Sequence, residues 1–213
     1  MEFEQLSMFQ ETGFKMKKVK PMKILVACEE SQAVCIELRK LGHEAYSADI
    51  QECSGGHNEW HILGDVIPLI NGDCKFTTMD GVEHEIVGQW DGLIAFPPCT
   101  FMTNAGAVRM RVNGEIVKER YEEAMKAKAF FMLFFNAKCD RILIENPTPM
   151  KIIGLPQYTQ AIQPYEHGSP YSKRTCVWLK GLPKIVPTKI MEKHEPYVNG
   201  GCKDAHGNYR RFQ

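Results

Sequence analysis

The run Leu93-Ile94-Ala95-Phe96, followed at once by Pro97-Pro98-Cys99, constrains this chain more than any other stretch. Four consecutive apolar residues suit a strand covered on both faces, as in a parallel sheet. Two successive prolines cannot donate to a ladder and hold φ fixed, so the strand ends in a stiff loop. A thiol then stands at the carboxyl end of a central strand, where open α/β sheets take their ligands. On this stretch alone two readings of Cys99 are open. It is a buried structural thiol, the common fate of a lone cysteine, or a nucleophile held still by its loop.

The flanking segments repeat the pattern. Lys23–Cys28 (KILVAC) reads as a first buried strand. A helix follows from Gln32, with Ser31 as N-cap and Gly42 as terminator, and His43–Ile50 (HEAYSADI) returns as a second strand. That is a βαβ opening. His61–Val66 (HILGDV) is a short strand ending in Gly64-Asp65, and residues 72–88 alternate about Asp80-Gly81 as a hairpin. Gly106–Gly114, with Arg109 and Arg111, reads as a mobile loop. Glu115–Lys138 is expected as a helix with an apolar face of Ala124, Ala127, Phe130, Phe131, Leu133 and Phe134. Asp140–Glu145 (DRILIE), Ala161–Tyr165 and Lys173–Leu179 complete the strands. The predicted fold is α/β, with a mostly parallel central sheet, helices on both faces and an inserted β-hairpin. It occupies residues 22–181, after a tail at 1–21 and before a short irregular extension at 182–213.

The eight cysteines are scattered without a CxxC, which reads as reduced thiols in a cytoplasmic protein. The start MEFEQLSMFQE lacks a signal-peptide layout, the basic residues Lys15, Lys17, Lys18 and Lys20 read as a solvated lead-in, and no apolar run approaches the roughly 20 residues of a membrane span. Zero formal net charge gives nucleic acid no general attraction but leaves room for a local basic face. Cys53, His57 and His61 stand at four-residue steps, yet Gly55-Gly56 interrupts any helix and no fourth ligand is in place. A structured loop, and no metal, is expected there.

Three acidic residues fall at expected strand ends. Asp49 suits a ribose contact or a turn-forming Asp, and Asp65 closes the third strand. Glu145 ends an apolar strand, where partial burial raises a carboxyl pKa and suits proton handling, although a structural role beside Asn146 is equally open. Lys173 and Arg174 begin the last strand, a place where surface charges are common. The first turn, Glu29-Glu30-Ser31-Gln32, has no GxGxxG, and its two carboxylates repel phosphate, which disfavours NAD, FAD and ATP. A phosphate-free cofactor with a positive centre tolerates it.

Taken in order, Asp49, Gly64-Asp65, Pro97-Pro98-Cys99 with Asn104-Ala105-Gly106, Glu145-Asn146 and the basic pair Lys173-Arg174 resemble the C5-cytosine DNA methyltransferases over residues 22–181. CEESQAV, HILGDV and PYSKRT are most similar to the short phage- and prophage-encoded members. The resemblance implies an S-adenosylmethionine-dependent, Rossmann-like fold and DNA as partner. It implies Cys99 as the nucleophile on cytosine C6, Glu145 as its acidic partner, and Lys173 or Arg174 as a further catalytic contact. It implies a cofactor site formed by Cys28, Glu29, Glu30, Ser31, Asp49, Ile50, Gly64, Asp65, Val66 and Pro97. Pro98, Thr100, Asn104, Arg109 and Asn146 would meet the substrate. The sequence departs from the family pattern in EESQ for the glycine-rich turn, ENP for ENV, and SPYSKRT for the basic strand. The brevity of 182–213 predicts reduced target recognition, or recognition supplied by a partner protein or an oligomer. A catalytically idle S-adenosylmethionine-binding regulator, or a transferase acting on RNA or a free nucleotide, are the alternatives.

Overall fold

A computed structural model describes residues 20–196, with the backbone of 202–203 and 209–210. The strands are β1 (Lys23–Ala27), β2 (Glu44–Asp49), β3 (His61–Leu63), β4 (Cys74–Thr77), β5 (Glu83–Ile86), β6 (Gly92–Ala95), β7 (Arg111–Val112), β8 (Glu115–Ile116), β9 (Ile142–Pro147), β10 (Gln160–Ile162), β11 (Tyr171–Ser172), β12 (Thr175–Lys180) and β13 (Glu195–Pro196). Two α-helices stand among the described residues: α1 (Ala33–Lys40) and α2 (Lys118–Phe135).

Seven strands form the central sheet in the order β10-β12-β9-β6-β1-β2-β3. β12 is antiparallel to both β9 and β10, and the other contacts are parallel. The fold is therefore α/β with a mostly parallel sheet. The hairpin expected at 72–88 is present as β4–β5, paired Cys74↔Ile86 to Thr77↔Glu83.

Side-chain alternation assigns the two faces. Leu25, Ala27, Leu93, Ala95, Ile142, Ile144, Cys176 and Trp178 belong to the larger core, with Ala124, Phe131 and Phe134 of α2. Phe131 meets Trp178 edge-on, with ring centres 4.9 Å apart. Full burial of a phenylalanine is worth about 1.5–3 kcal/mol, so α2 is held by its packing. Ile24, Val26, Cys35 and Ala45 form the core of the opposite face, beneath α1. Among the described residues each face thus carries one α-helix.

Several expectations need correction. Ser31 is not the cap of α1. Gln32 takes that position with φ 57°, and the Val34 and Cys35 amides donate to Glu29 Oε1 and Oε2 at 2.6 and 3.2 Å. The stretch read as a mobile loop is folded. Asn104–Arg109 is a 3-10 turn, and β7–β8 close over Asn113 (φ 51°) and Gly114 (φ 85°), where Asn-Gly suits left-handed turn positions. α2 is shorter than 115–138, and Leu133 is 44% exposed rather than part of the buried face. The strand expected at Ala161–Tyr165 is Gln160–Ile162, and β12 starts at Thr175, after Lys173 and Arg174. Residues 1–19 and most of the extension beyond 196 lie outside the described residues.

Candidate functional site

The chain passes from β1 to β2 on one side and later returns to β6 on the other. The sheet therefore has a topological switch point between β1 and β6, and in open α/β sheets ligands bind outside the carboxyl ends of the strands at such a point. The segments singled out in the sequence all leave that edge: 28–31 after β1, 49–50 at the end of β2, 64–65 after β3, 97–99 after β6 and 145–146 at the end of β9.

A cleft of about 320 Å³ opens there, lined by Cys28, Glu29, Glu30, Ser31, Ala33, Val34 and Phe96. Its first wall is the β1–α1 turn. The Cys28 and Glu29 amides both donate to the Ala48 carbonyl (2.8 and 3.3 Å), which pins the turn to β2. Glu29 is 5% exposed. Burial pushes its carboxyl above the ordinary range, while the Val34 and Cys35 amides pull the other way. Burial also pushes the Cys28 thiol up, to about 12, with Asp49 and Asp65 adding to the shift, so both carboxylates lie within electrostatic reach of this turn. Asp49 Oδ1 accepts from the Gln51 amide and Asp65 Oδ1 from the Ile67 amide, each at 3.0 Å. The Gly64 amide donates to the Asp49 carbonyl at 2.8 Å, joining the ends of β2 and β3. Ile50 is 79% exposed, whereas Val66 is 4% exposed and belongs to the core.

The second wall is reached along the sheet. Ala95 pairs with Ile144, and alternation along the chain places the residues that follow, Phe96 and Glu145, on the sheet face opposite that pair. Phe96 lines the cleft, and Glu145 follows it on the same side. Burial raises the Glu145 pKa, against the Lys173 ammonium and the Thr175 hydroxyl. The basic pair, which precedes β12, is divided between two partners. Lys173 acts on Glu145, while Arg174 Nη2 donates to Tyr158 Oη at 2.7 Å and its guanidinium lies over that ring.

Asn146 points to the other face, is 1% exposed, and donates from Nδ2 to the Pro97 carbonyl at 2.8 Å. The loop carrying Cys99 is thereby clamped to the strand carrying Glu145. The clamp continues through the Asn104 amide to the Thr148 carbonyl (3.1 Å) and the Met150 amide to the Met102 carbonyl (2.8 Å). Within the loop, the Met102 and Thr103 amides donate to the Cys99 carbonyl. Arg120 of α2 donates to the Thr100 carbonyl at 3.3 Å and lies over Phe101. Pro97 is buried, Cys99 half-buried, and Pro98, Thr100, Asn104 and Arg109 exposed.

Three of the expected ligand contacts are buried. Val66 belongs to the core, the Asn146 amide is engaged on Pro97, and Glu29, though it lines the cleft, has its carboxylate engaged by the Val34 and Cys35 amides. Gln32, Arg120, Tyr158 and Thr175 enter the neighbourhood without having been singled out. Their signals are partners distant in sequence. Among the described residues no group of His, Cys, Asp and Glu is placed to hold a metal ion. His61 is fully buried between Ser47 and the Gln51 carbonyl. No helix among those residues is long and apolar enough to cross a membrane. Neither protein-family models nor curated protein sequences match this chain.

Proposed function

We propose that the chain is a transferase that methylates C5 of cytosine in DNA, with S-adenosylmethionine as donor. The observation that carries this reading is the adjacency of Phe96 and Glu145 on one sheet face, with the cleft on one side and the Cys99 loop directly after. The strand order around the switch point, that of doubly wound nucleotide-binding sheets, supports a nucleoside there.

The residues present fit a sulfonium nucleoside better than a pyrophosphate cofactor. Glu29 already takes the Val34 and Cys35 amides at the start of α1, the groups a phosphate would need. Glu30, Asp49 and Asp65 surround the turn with negative charge, which attracts a cation. Asp49 would hold the ribose hydroxyls, Ile50 would cover a face of the adenine, and Asp65 would accept from its amino group. When bound, S-adenosylmethionine supplies an electrophilic methyl group.

The chain's own residues then do the following. An extruded cytosine lodges between Cys99 and Glu145, since enzymes acting on a base take it out of the stack. Cys99 Sγ adds to C6, and the C5=C6 electron pair moves to C5. Glu145, whose partly desolvated carboxyl favours its protonated form, donates to N3 and accepts from the exocyclic amine. Lys173 stands beside that carboxyl. Once C5 carries the methyl group, its proton leaves to water, the electron pair re-forms C5=C6, and Sγ departs as thiolate. Arg109, Arg111 and Arg174 suit phosphate contacts. The thiols, free at all seven described cysteines, fit a cytoplasmic setting.

The test is a duplex carrying 5-fluorocytosine, incubated with the protein and S-adenosylmethionine and run on a denaturing gel. A covalent adduct is expected with the wild type and none with Cys99→Ala. An adduct retained by the alanine variant overturns the role of Cys99. Tritium transfer to DNA, RNA and dCTP in parallel assigns the substrate. Cofactor binding without transfer to any of them makes the chain a binding protein.

A further inference from the structure

The connection Gln51–Trp60, between β2 and β3, rests on buried polar side chains that the reaction scheme does not use. Gln32 is wholly buried, and three of the four hydrogen-bonding directions of its amide are engaged on strand β2 or on this connection. Nε2 donates to Ser47 Oγ (3.2 Å) and to the His57 carbonyl (2.9 Å), and Oε1 accepts from the His57 amide (3.0 Å). Ser47 Oγ lies 2.8 Å from Nδ1 of His61. A carbonyl can only accept, so His61 Nε2, 2.9 Å from the Gln51 carbonyl, carries a proton. Gln51 at one end of the connection and His57 towards the other thus hang on one buried chain. The middle is fastened from outside. Ser54 donates from its amide to the Glu30 carbonyl (2.9 Å) and from its hydroxyl to Glu30 Oε2 (2.5 Å). At Gly55 the approach is so close that a Cβ would lie 2.7 Å from both Gln32 Cβ and the Ser31 carbonyl oxygen.

This connection starts directly after Asp49 and Ile50 and lies on Glu30 and Ser31, which line the cleft. We propose that Gln32 is a positioning residue for the nucleoside cofactor. It latches Gln51–Trp60 onto the β1–α1 turn and so sets Asp49 and Ile50 against Glu30 and Ser31. The proposal rests on the nucleoside reading of the cleft. A latch of amide and hydroxyl groups adds rigidity without adding charge to a site already rich in carboxylates. Preorganisation of this kind raises affinity by removing the cost of ordering the wall when the ligand arrives.

Trp60 is the reporter. It stacks on His57 with ring centres 3.8 Å apart and is half-buried, whereas Trp90 and Trp178 are each 2% exposed and shielded from a soluble quencher. Two variants of the full chain are used. Gln32→Leu keeps the volume and removes the hydrogen bonds, and Gly55→Ala drives a methyl group against the latch from the surface. Both are expected to increase acrylamide quenching of Trp60 and to weaken calorimetric binding of S-adenosylmethionine by about tenfold, with KM for the cofactor rising and kcat at saturation little changed. If Gln32→Leu does not fold, Gly55→Ala decides. Unchanged quenching and affinity in Gly55→Ala overturn the latch. Increased quenching with unchanged affinity overturns its role towards the cofactor. Failure of the wild type to bind S-adenosylmethionine overturns the nucleoside reading and this role with it, and the quenching result then still distinguishes a latched connection from a loose one.

Discussion

The two halves of the strand edge differ in how completely their buried polar atoms are used. Around β1 and β2, Glu29, Gln32, Ser47 and His61 are each at most 5% exposed, and every one is hydrogen-bonded. Around β6 and β9, Asn146 Oδ1 and Arg120 Nε are buried without a partner, and Glu145 is held in a partly desolvated place. An unsatisfied buried polar atom costs about 1–3 kcal/mol. A saturated half is rigid and ready to bind, whereas an unsaturated half keeps hydrogen-bonding capacity that a substrate or a loop adjustment can complete. That division fits the proposed function, in which one half would receive a cofactor and the other would do the chemistry.

The contrast is broken most sharply at Glu145. Glu145→Gln preserves the shape and can still donate a hydrogen bond, but it cannot release a proton. Single-turnover methyl transfer should slow by about 100-fold or more, with cofactor affinity unchanged. Wild-type turnover in this variant would remove Glu145 from the chemistry. Next is Asn146→Ala, which unties the Pro97 carbonyl from β9. Slower transfer by about tenfold is expected from a loosened nucleophile, together with a stability loss of about 1–3 kcal/mol in urea unfolding. Glu29→Ala acts on the saturated half. It leaves the Val34 and Cys35 amides without their carboxylate, so stability should fall by about 1–3 kcal/mol. The 5-fluorocytosine adduct should still form at saturating cofactor.

The smallest effect sharpens the comparison through pH. Burial raises the Glu145 pKa above its ordinary value of 4.5, so the folded protein keeps this proton where the unfolded chain has lost it. The contribution is fully present below the ordinary value and is lost as pH climbs through the raised one. The stability of the wild type relative to Glu145→Gln should therefore decline with rising pH across that window. A flat difference would place Glu145 in a solvated setting.

Much of this edge is legible in the sequence. Apolar runs that stop at Asp49, Gly64-Asp65, Pro97-Pro98 and Glu145-Asn146 mark strand ends, and in parallel strands those ends share one side. The capping of α1 is not legible, because Ser31 is the nearer candidate and Glu29 reaches the amides only when Gln32 adopts a left-handed conformation. The β7–β8 hairpin carries an Asn113-Gly114 turn signal, but strands of two residues are too short to show alternation. Leu133 reads as core because it sits within an apolar run, whereas the helix turns it outward between Phe131 and Phe134. The separate fates of Lys173 and Arg174 depend on the direction of β12, which periodicity does not reveal.

That direction has a consequence for how such a protein can diversify. Because β12 runs against both its neighbours, it enters at the edge where β9 ends, and the residues preceding it arrive beside Glu145 without belonging to any crossover between the parallel strands. The stretch from Gln163 to Ser172 can change in length or charge while the thiol's loop and the carboxyl's strand keep their spacing. On the proposed function, selectivity for what surrounds the target would drift there independently of Cys99 and Glu145.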